Sequence, residues 1–230
     1  MSKLDVVIMA AGKGTRMKSS MPKVLHRVGG KALLQHVMDA AIRLQARHIW
    51  VITGHGADQV EALLHGQAHM HAVRQEPQLG TGHAVQQAMP HLQDDGITLV
   101  LSGDVPLIQP ETLQTLLAMS DQQHLSLLCL QTPQPTGYGR MVRNARHEVV
   151  AIVEEKDATH EQRQITEIYS GIMAAPTKRL RDWLSRLDNR NAQGEFYLTD
   201  VVRFAVQDGA QVMTHTIDQA WQVEGVNTPV

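Results

Sequence analysis

This chain holds a single cysteine, Cys129, in 230 residues. One thiol cannot close an internal disulfide, and its place in the apolar run Leu127-Leu128-Cys129-Leu130 marks it as a small core residue. Neither charge is in surplus: 21 Lys and Arg against 23 Asp and Glu leave a formal net charge of -2. That balance excludes a broad basic surface for nucleic acid, so any phosphate recognition must be local. No apolar stretch approaches the roughly 18 residues of a membrane span. Nor does a signal-peptide pattern precede the first apolar run, so the chain reads as cytoplasmic, with no membrane partner. Internal repeats, low-complexity tracts and linker compositions are absent too, which points to one domain. Histidine is plentiful, at 13 residues. His65, His69 and His71 nevertheless lack Cys, Asp or Glu at zinc-site spacing, and they read as a solvated helix end and loop. The 11 methionines are assigned mainly to core packing.

What is present is an alternation. Short apolar runs at Val6-Met9, His48-Ile52, Ala72-Val73, Thr98-Leu101 and Ser126-Leu130 alternate with amphipathic patterns around Leu33-Gln45, Ala57-Leu64, Gly82-Met89 and Glu111-Met119. This is the signature of an α/β fold, a Rossmann-like, mostly parallel sheet with helices on both faces. Thr132-Pro133-Gln134-Pro135-Thr136-Gly137 breaks the rhythm. Shorter β-rich pieces follow at Arg140-Val142, Val149-Val153 and Ile168-Ala174, and they predict a small antiparallel extension covering the pocket. Helices near Leu180-Leu187 and Leu198-Val206 close the fold.

The most informative segment is Ala10-Ala11-Gly12-Lys13-Gly14-Thr15-Arg16-Met17, followed by Met21-Pro22-Lys23. It leaves the carboxyl end of the first strand, where open α/β sheets bind ligands. Two glycines let the backbone come close to a ligand and turn its N–H groups toward phosphate oxygens. Two cations, Arg16 and Lys23, stand nearby. A dinucleotide fingerprint fails because Met17 occupies the place of the third small residue. A P-loop fails because neither Gly12-Lys13-Gly14 nor Gly30-Lys31-Ala32 continues as that motif requires.

This loop resembles the signature of the sugar-phosphate nucleotidyltransferases, and more closely that of the N-acetylglucosamine-1-phosphate uridyltransferase (GlmU) family. Four further motifs carry the resemblance along the chain: Gln78-Leu79-Gly80-Thr81-Gly82-His83-Ala84, Gly103-Asp104-Val105-Pro106-Leu107, Thr136-Gly137-Tyr138-Gly139-Arg140 and Val223-Glu224-Gly225-Val226-Asn227. The resemblance implies one nucleotidyltransferase (pyrophosphorylase) domain over residues 1–230, without the hexapeptide-repeat acetyltransferase domain of bifunctional members. Two readings stand, an excised domain or a free-standing enzyme; as part of a longer bifunctional chain it would be a homo-oligomer.

The implied reaction is attack of the phosphate oxygen of N-acetylglucosamine-1-phosphate on the α-phosphorus of UTP, giving UDP-N-acetylglucosamine for cell-envelope synthesis and releasing pyrophosphate. The nucleophile is already an anion, so the site must align two repelling anions and neutralise the leaving charge. That need fits cations, metal ligands and backbone amides better than a Ser/His/Asp constellation. By the family pattern Lys23 contacts the reacting phosphate region and Arg16 lies along the β and γ phosphates. Met9, Ala10, Ala11, Gly12, Gly14, Lys23, Gln75, Gln78, Gly80, Thr81, Gly103 and Asp104 are expected to contact the nucleotide. Within that set Gln75 offers the uracil edge both a donor and an acceptor. Asp104 and Asn227 are expected to hold Mg2+, which takes one or two protein oxygens beside substrate phosphates. Gly139, Glu154 and Asn227 are expected on the sugar. Glu154 and Glu155 are neighbours, and strand alternation sends only one of them to the pocket.

Two residues depart from the family pattern: Tyr169 stands where an asparagine is usual, and Ser102 stands where a tyrosine is frequent. The expectation is that the phenol reaches a sugar hydroxyl while the smaller Ser102 frees space. Two alternatives stay open, another nucleotidyltransferase of the superfamily (using glucose-1-phosphate, a methylerythritol phosphate or a molybdenum cofactor) and a non-catalytic sugar-nucleotide sensor.

Overall fold

The computed structural model describes residues 3–14, 17, 19 and 21–227. Its first half alternates strands β1 (Lys3–Met9), β4 (His48–Thr53), β5 (Met70–Arg74), β6 (Gly96–Ser102) and β7 (His124–Gln131) with helices α1 (Leu33–Arg43), α2 (Ala57–Ala62), α3 (Thr81–Ala88) and α4 (Pro110–Ala118). A two-residue hairpin, β2 (Arg27–Val28) and β3 (Lys31–Ala32), precedes α1. The second half adds β8 (Gly139–Arg143), β9 (Val149–Val153), the single turn α5 (His160–Arg163), β10 (Glu167–Pro176), α6 (Thr177–Ser185), α7 (Asp200–Gln207) and β11 (Gln211–Ile217). Among the described residues no helix is long and apolar enough to cross a membrane.

Strand order in the main sheet is β11-β7-β10-β6-β1-β4-β5. Strand β1 pairs in parallel with β4 on one side and β6 on the other. The chain winds outward from β1 through β4 to β5, then returns across β1 to β6. That reversal opens a crevice at the carboxyl ends of β1 and β6. Successive residues of the buried strands face opposite layers. Val6, Ile8 and Leu99 pack with Leu34, Val37 and Met38 of α1 and with Leu113 and Leu116 of α4. Val7, Val100 and Cys129 pack with Ala84 and Val85 of α3, Leu180 and Trp183 of α6, and Val201 and Val202 of α7. Apolar faces on both sides of one sheet are what made the strands read as near-continuous hydrophobic runs.

Two features differ from the sequence reading. Strand β10 does not merely cover the pocket: it is a central strand of the main sheet, antiparallel to both β6 and β7. Only the hairpin β8–β9 stands off the main path, hung on the first residues of β10 by the pair Tyr169–Gly139. Strand β11, parallel to β7, was not foreseen; its sequence Gln-Val-Met-Thr-His-Thr-Ile lies at the sheet edge and mixes polar with apolar residues.

His65 and His69 are exposed as expected, but His71 lies on β5, stacked on Trp50 at 4.4 Å, with Nε2 3.2 Å from His48 Nδ1. His91 stacks on the same indole at 4.8 Å. Burial first, then His48, His69 and His91, holds the His71 imidazole below its ordinary value of 6.5. The fold therefore favours neutral His71, and this share of stability is full above the unfolded value and declines as pH falls below it. Thermal unfolding followed from about pH 7.5 to 5.5 should show a larger fall in Tm for the native chain than for His71→Gln; equal falls would remove His71 as the cause.

Candidate active site

The loop after β1 is fixed at both ends by backbone bonds. Ala10 N donates to Ile52 O at 2.9 Å, and Met17 N donates to Gly14 O at 2.8 Å. Gly14 sits at φ +56°, and a Cβ there would lie 2.5 Å from Lys23 Cβ, so the loop closes over the lysine stem only because position 14 carries no side chain. Among the described residues nothing lies within 4 Å of the position a Gly12 Cβ would take. Its backbone is open to a ligand.

Lys23 opens a single 3-10 turn, Lys23–Leu25, whose N-cap is Pro22. Its Nζ donates to Asp104 Oδ2 and, at 2.7 Å, to Asn227 Oδ1. Both partners are themselves oriented. Ser102 Oγ donates to Asp104 Oδ1 at 2.6 Å, and Asn227 Nδ2 donates to Gly225 O at 3.0 Å. Val226 N donates to Asp104 O at 3.0 Å, which ties the segment after β11 to the loop after β6. A Cβ on Gly225 would stand 3.4 Å from Asp104 Oδ2 and 3.5 Å from Asn227 Nδ2, so the glycine leaves the cradle between the two side chains open. A carboxylate and an amide oxygen sharing one cation form the hard-oxygen pair that suits a magnesium-class ion. Among the described residues no group of three or more His, Cys, Asp or Glu could hold a metal; phosphate oxygens and water would have to complete the shell.

Across the cavity, Gln75 is 3% exposed. Its Nε2 donates to Gly80 O at 2.9 Å and lies 3.1 Å from His83 Nδ1. Burial holds the His83 imidazole below its ordinary value, consistent with a neutral ring accepting at Nδ1. Gly80 is the N-cap of α3 at φ +113°, and a Cβ there would meet Phe196 O at 2.7 Å. Thr81 Oγ1 accepts from Leu198 N at 3.0 Å. Residues 80–82 are thus clamped against 195–198, and the positive end of α3 is held toward the cavity.

These segments enclose one cavity of about 550 Å³. Met9, Ala10, Ala11, Gly12, Gly14, Lys23, Gln75, Gln78, Gly80, Thr81, Asp104 and Asn227 all line it. Gly103 does not: its N donates to Met9 O at 2.9 Å, and a Cβ there would lie 3.1 Å from the same oxygen, so it serves the packing of β6 against the loop. Arg16, with Thr15, lies outside the described residues.

Of the residues expected on the sugar, Asn227 belongs to that lining, whereas Gly139 and Glu154 are separate from it. Glu154 opens onto a second cavity of about 410 Å³, shared with Asp157, Arg190, Tyr197 and Asp200. Its Oε1 accepts from Thr199 Oγ1 at 2.9 Å, and burial pushes its carboxyl above the usual carboxylate range. A Cβ on Gly139 would fall 2.7 Å from Ile152 Cγ2 and 3.9 Å from both Glu154 oxygens, so the glycine and the carboxylate are neighbours. Glu155 turns the other way. It takes Arg140 Nη2 at 2.6 Å and Gly137 N at 3.2 Å, and those bonds hold its carboxyl low.

Tyr169 does not present its phenol to a ligand in this state. It is 6% exposed, its hydroxyl is buried without a hydrogen-bond partner among the described residues, and desolvation pushes the phenol well above its usual value. The cause is its strand: β10 is central, and alternation sends Tyr169 into the core layer with Cys129 and Ile152. Ser102 does not simply free space, because its hydroxyl is spent on Asp104. Sequence reasoning gave Ser102 no role in orienting Asp104 and missed Glu195 in the cavity wall and Thr199 against Glu154. A hydroxyl two residues before a rim aspartate was the available signal for Ser102. Nothing comparable marked the other two.

The comparisons with known proteins agree with this architecture. Over 236 aligned residues the chain is 64% identical to the bifunctional protein GlmU of Polaromonas naphthalenivorans (strain CJ2), which covers 99% of this chain and 50% of that protein. The chain spans about half the length of the curated relatives it matches. A solved UDP-glucose pyrophosphorylase complexed with UDP-glucose superposes with a TM-score of 0.79 at 18% identity, covering 95% of this chain and 91% of that one. The inositol-1-phosphate CTP transferase from T. maritima superposes with a TM-score of 0.76 at 17% identity, covering 95% and 87%. Those two names carry different bases, so the shared fold does not choose the nucleotide. The family model described as MobA-like NTP transferase domain matches residues 6–187, and with most of its length inside that match the chain belongs to the MobA-like NTP transferase domain family.

Proposed function

We propose that this chain transfers UMP from UTP to N-acetylglucosamine-1-phosphate, giving UDP-N-acetylglucosamine and pyrophosphate with Mg2+ as cofactor. The observation that carries the reading is the convergence of the glycine loop, Lys23, Asp104 and Asn227 on one cavity whose far wall is Gln75 and the start of α3. The 64% identity to a bifunctional GlmU protein supports the amino-sugar reading over other superfamily members. We read residues 1–230 as one nucleotidyltransferase domain acting in the cytoplasm on these two small molecules, in a homo-oligomer where it belongs to a longer chain.

The chemistry follows from the placement of the groups. Backbone N–H groups of residues 11–14, together with the positive end of α3, are assigned to the triphosphate, the Ala10 and Gly82 N–H groups being bonded to Ile52 O and Phe196 O. The Lys23 ammonium, with Arg16 in the same loop, offsets the charge that grows on departing pyrophosphate. Asp104 and Asn227 would hold the magnesium, which would supply neutralisation of the phosphate oxygens and alignment of the attacking and leaving groups. Gln75 supports the wall through Gly80 and His83, which takes up both hydrogens of its amide nitrogen, so it meets the base as an acceptor at Oε1 and not as the donor and acceptor expected from the sequence. Glu154, Gly139 and Asn227 are the sugar-side groups, with Glu154 accepting from hydroxyls and Thr199 holding it in place. Because the acceptor phosphate is already ionised, no general base is assigned.

Purified chain should release pyrophosphate from UTP only when N-acetylglucosamine-1-phosphate and Mg2+ are both present, in a screen across four nucleoside triphosphates and several sugar phosphates. Preference for glucose-1-phosphate would correct the acceptor and keep the reaction class; no transfer with any pair would leave the sensor reading. Asp104→Asn keeps the shape but removes the charge that holds the cation, so turnover should fall by about a hundredfold or more at saturating UTP. Unchanged turnover in that variant would remove Asp104 from the site.

A further inference from the structure

The position between Asp104 Oδ2 and Asn227 Oδ1 is filled by the chain's own Lys23 ammonium, bonded to the first and 2.7 Å from the second. The side chains of Lys23 and Asp104 are 13% and 23% exposed, so solvent screens this contact only in part. Ammonium and divalent cation cannot share that space. They compete for the same two oxygens and, as like charges at contact distance, repel each other.

The oxygens hold their aim without the lysine. Ser102 Oγ fixes Asp104 Oδ1 at 2.6 Å, Gly225 O fixes the Asn227 amide at 3.0 Å, and the Val226 N–H to Asp104 O bond holds the two segments together at 3.0 Å. Among the described residues the lysine stem is packed at its root, where the position of a Gly14 Cβ would lie against Lys23 Cβ, Cγ and Cδ. Beyond that point a flexible four-carbon stem carries the charge, so Nζ can swing toward the loop while the main chain stays still. We propose that Lys23 is a built-in stand-in for the divalent cation: it occupies the cation position in the free protein and gives it up when nucleotide phosphates draw its ammonium away. The cation then enters with the nucleotide rather than ahead of it, and Lys23 reseals the pair once charged product has left. This rests on the reading of the cavity as a nucleotide site.

Manganese titrated into nucleotide-free protein, with free Mn2+ read by electron paramagnetic resonance, tests it without any turnover. Lys23→Met keeps the stem and drops the charge, so it should bind Mn2+ at least about tenfold more tightly than the native chain. Lys23→Gln should move the same way, and circular dichroism shows which variant is folded. Adding Asp104→Asn to Lys23→Met should abolish the gain. Equal or weaker Mn2+ binding by the folded neutral variants overturns the proposal. The transfer assay is separate: a chain that transfers UMP but shows no gain sinks the stand-in alone, whereas a chain that shows the gain but transfers nothing sinks the functional reading.

Discussion

One ammonium ties together three parts of this chain that are far apart in sequence. Lys23 bonds a carboxylate 81 residues on and an amide 204 residues on. Each of those groups sits at the carboxyl end of a strand or in the segment beyond one. The loop after β1 supplies the cation, the loop after β6 supplies Asp104, and the segment after β11 supplies Asn227. Without that shared cation a carboxylate only 23% exposed would face an amide oxygen, two acceptors with nothing between them. The cost of such an arrangement explains why both acceptors carry second bonds, from Ser102 and to Gly225, that keep them aimed at the same point.

The topology makes this convergence possible. Chain reversal at β1 puts the carboxyl ends of β1 and β6 side by side, and their register places Met9 opposite Ser102. The rim is therefore two residues from Asp104 on one strand and one residue from the glycine loop on the other. Cβ-free positions do the rest. Gly14 admits the lysine stem, Gly80 admits the 195–196 backbone, and Gly225 leaves the cradle open. At Gly14 and Gly80 a methyl group would come within 3.0 Å of the lysine stem or of main chain, whereas at Gly225 it would stand in ordinary contact, 3.4 Å from Asp104 Oδ2.

Much of this was legible in the sequence because it depends on local chemistry. Apolar runs gave the parallel strands, and glycines beside cations after the first run marked the phosphate loop. Asp104 and Gln75 stood at strand ends where ligands are expected. What was not legible depends on pairing partners distant in sequence. No periodicity says that β10 inserts between β6 and β7, so the burial of Tyr169 could not be read from its place near sugar-side motifs. The role of Ser102 follows from a single hydrogen bond to Asp104. His71 passed for a loop residue because its stacking partner, Trp50, lies on the neighbouring strand. Glu154 was placed at the end of its strand, but the separate cavity it faces is completed by residues between 188 and 203, which carried no motif.

The most direct test of the account is a crystal structure of the chain with Mn2+ and a non-hydrolysable UTP analogue, read by anomalous scattering. The account places the manganese peak within coordination distance of Asp104 and Asn227, with the Lys23 ammonium moved onto a phosphate oxygen and the uracil against Gln75. A peak elsewhere, with Lys23 still bonded to Asp104, would contradict it.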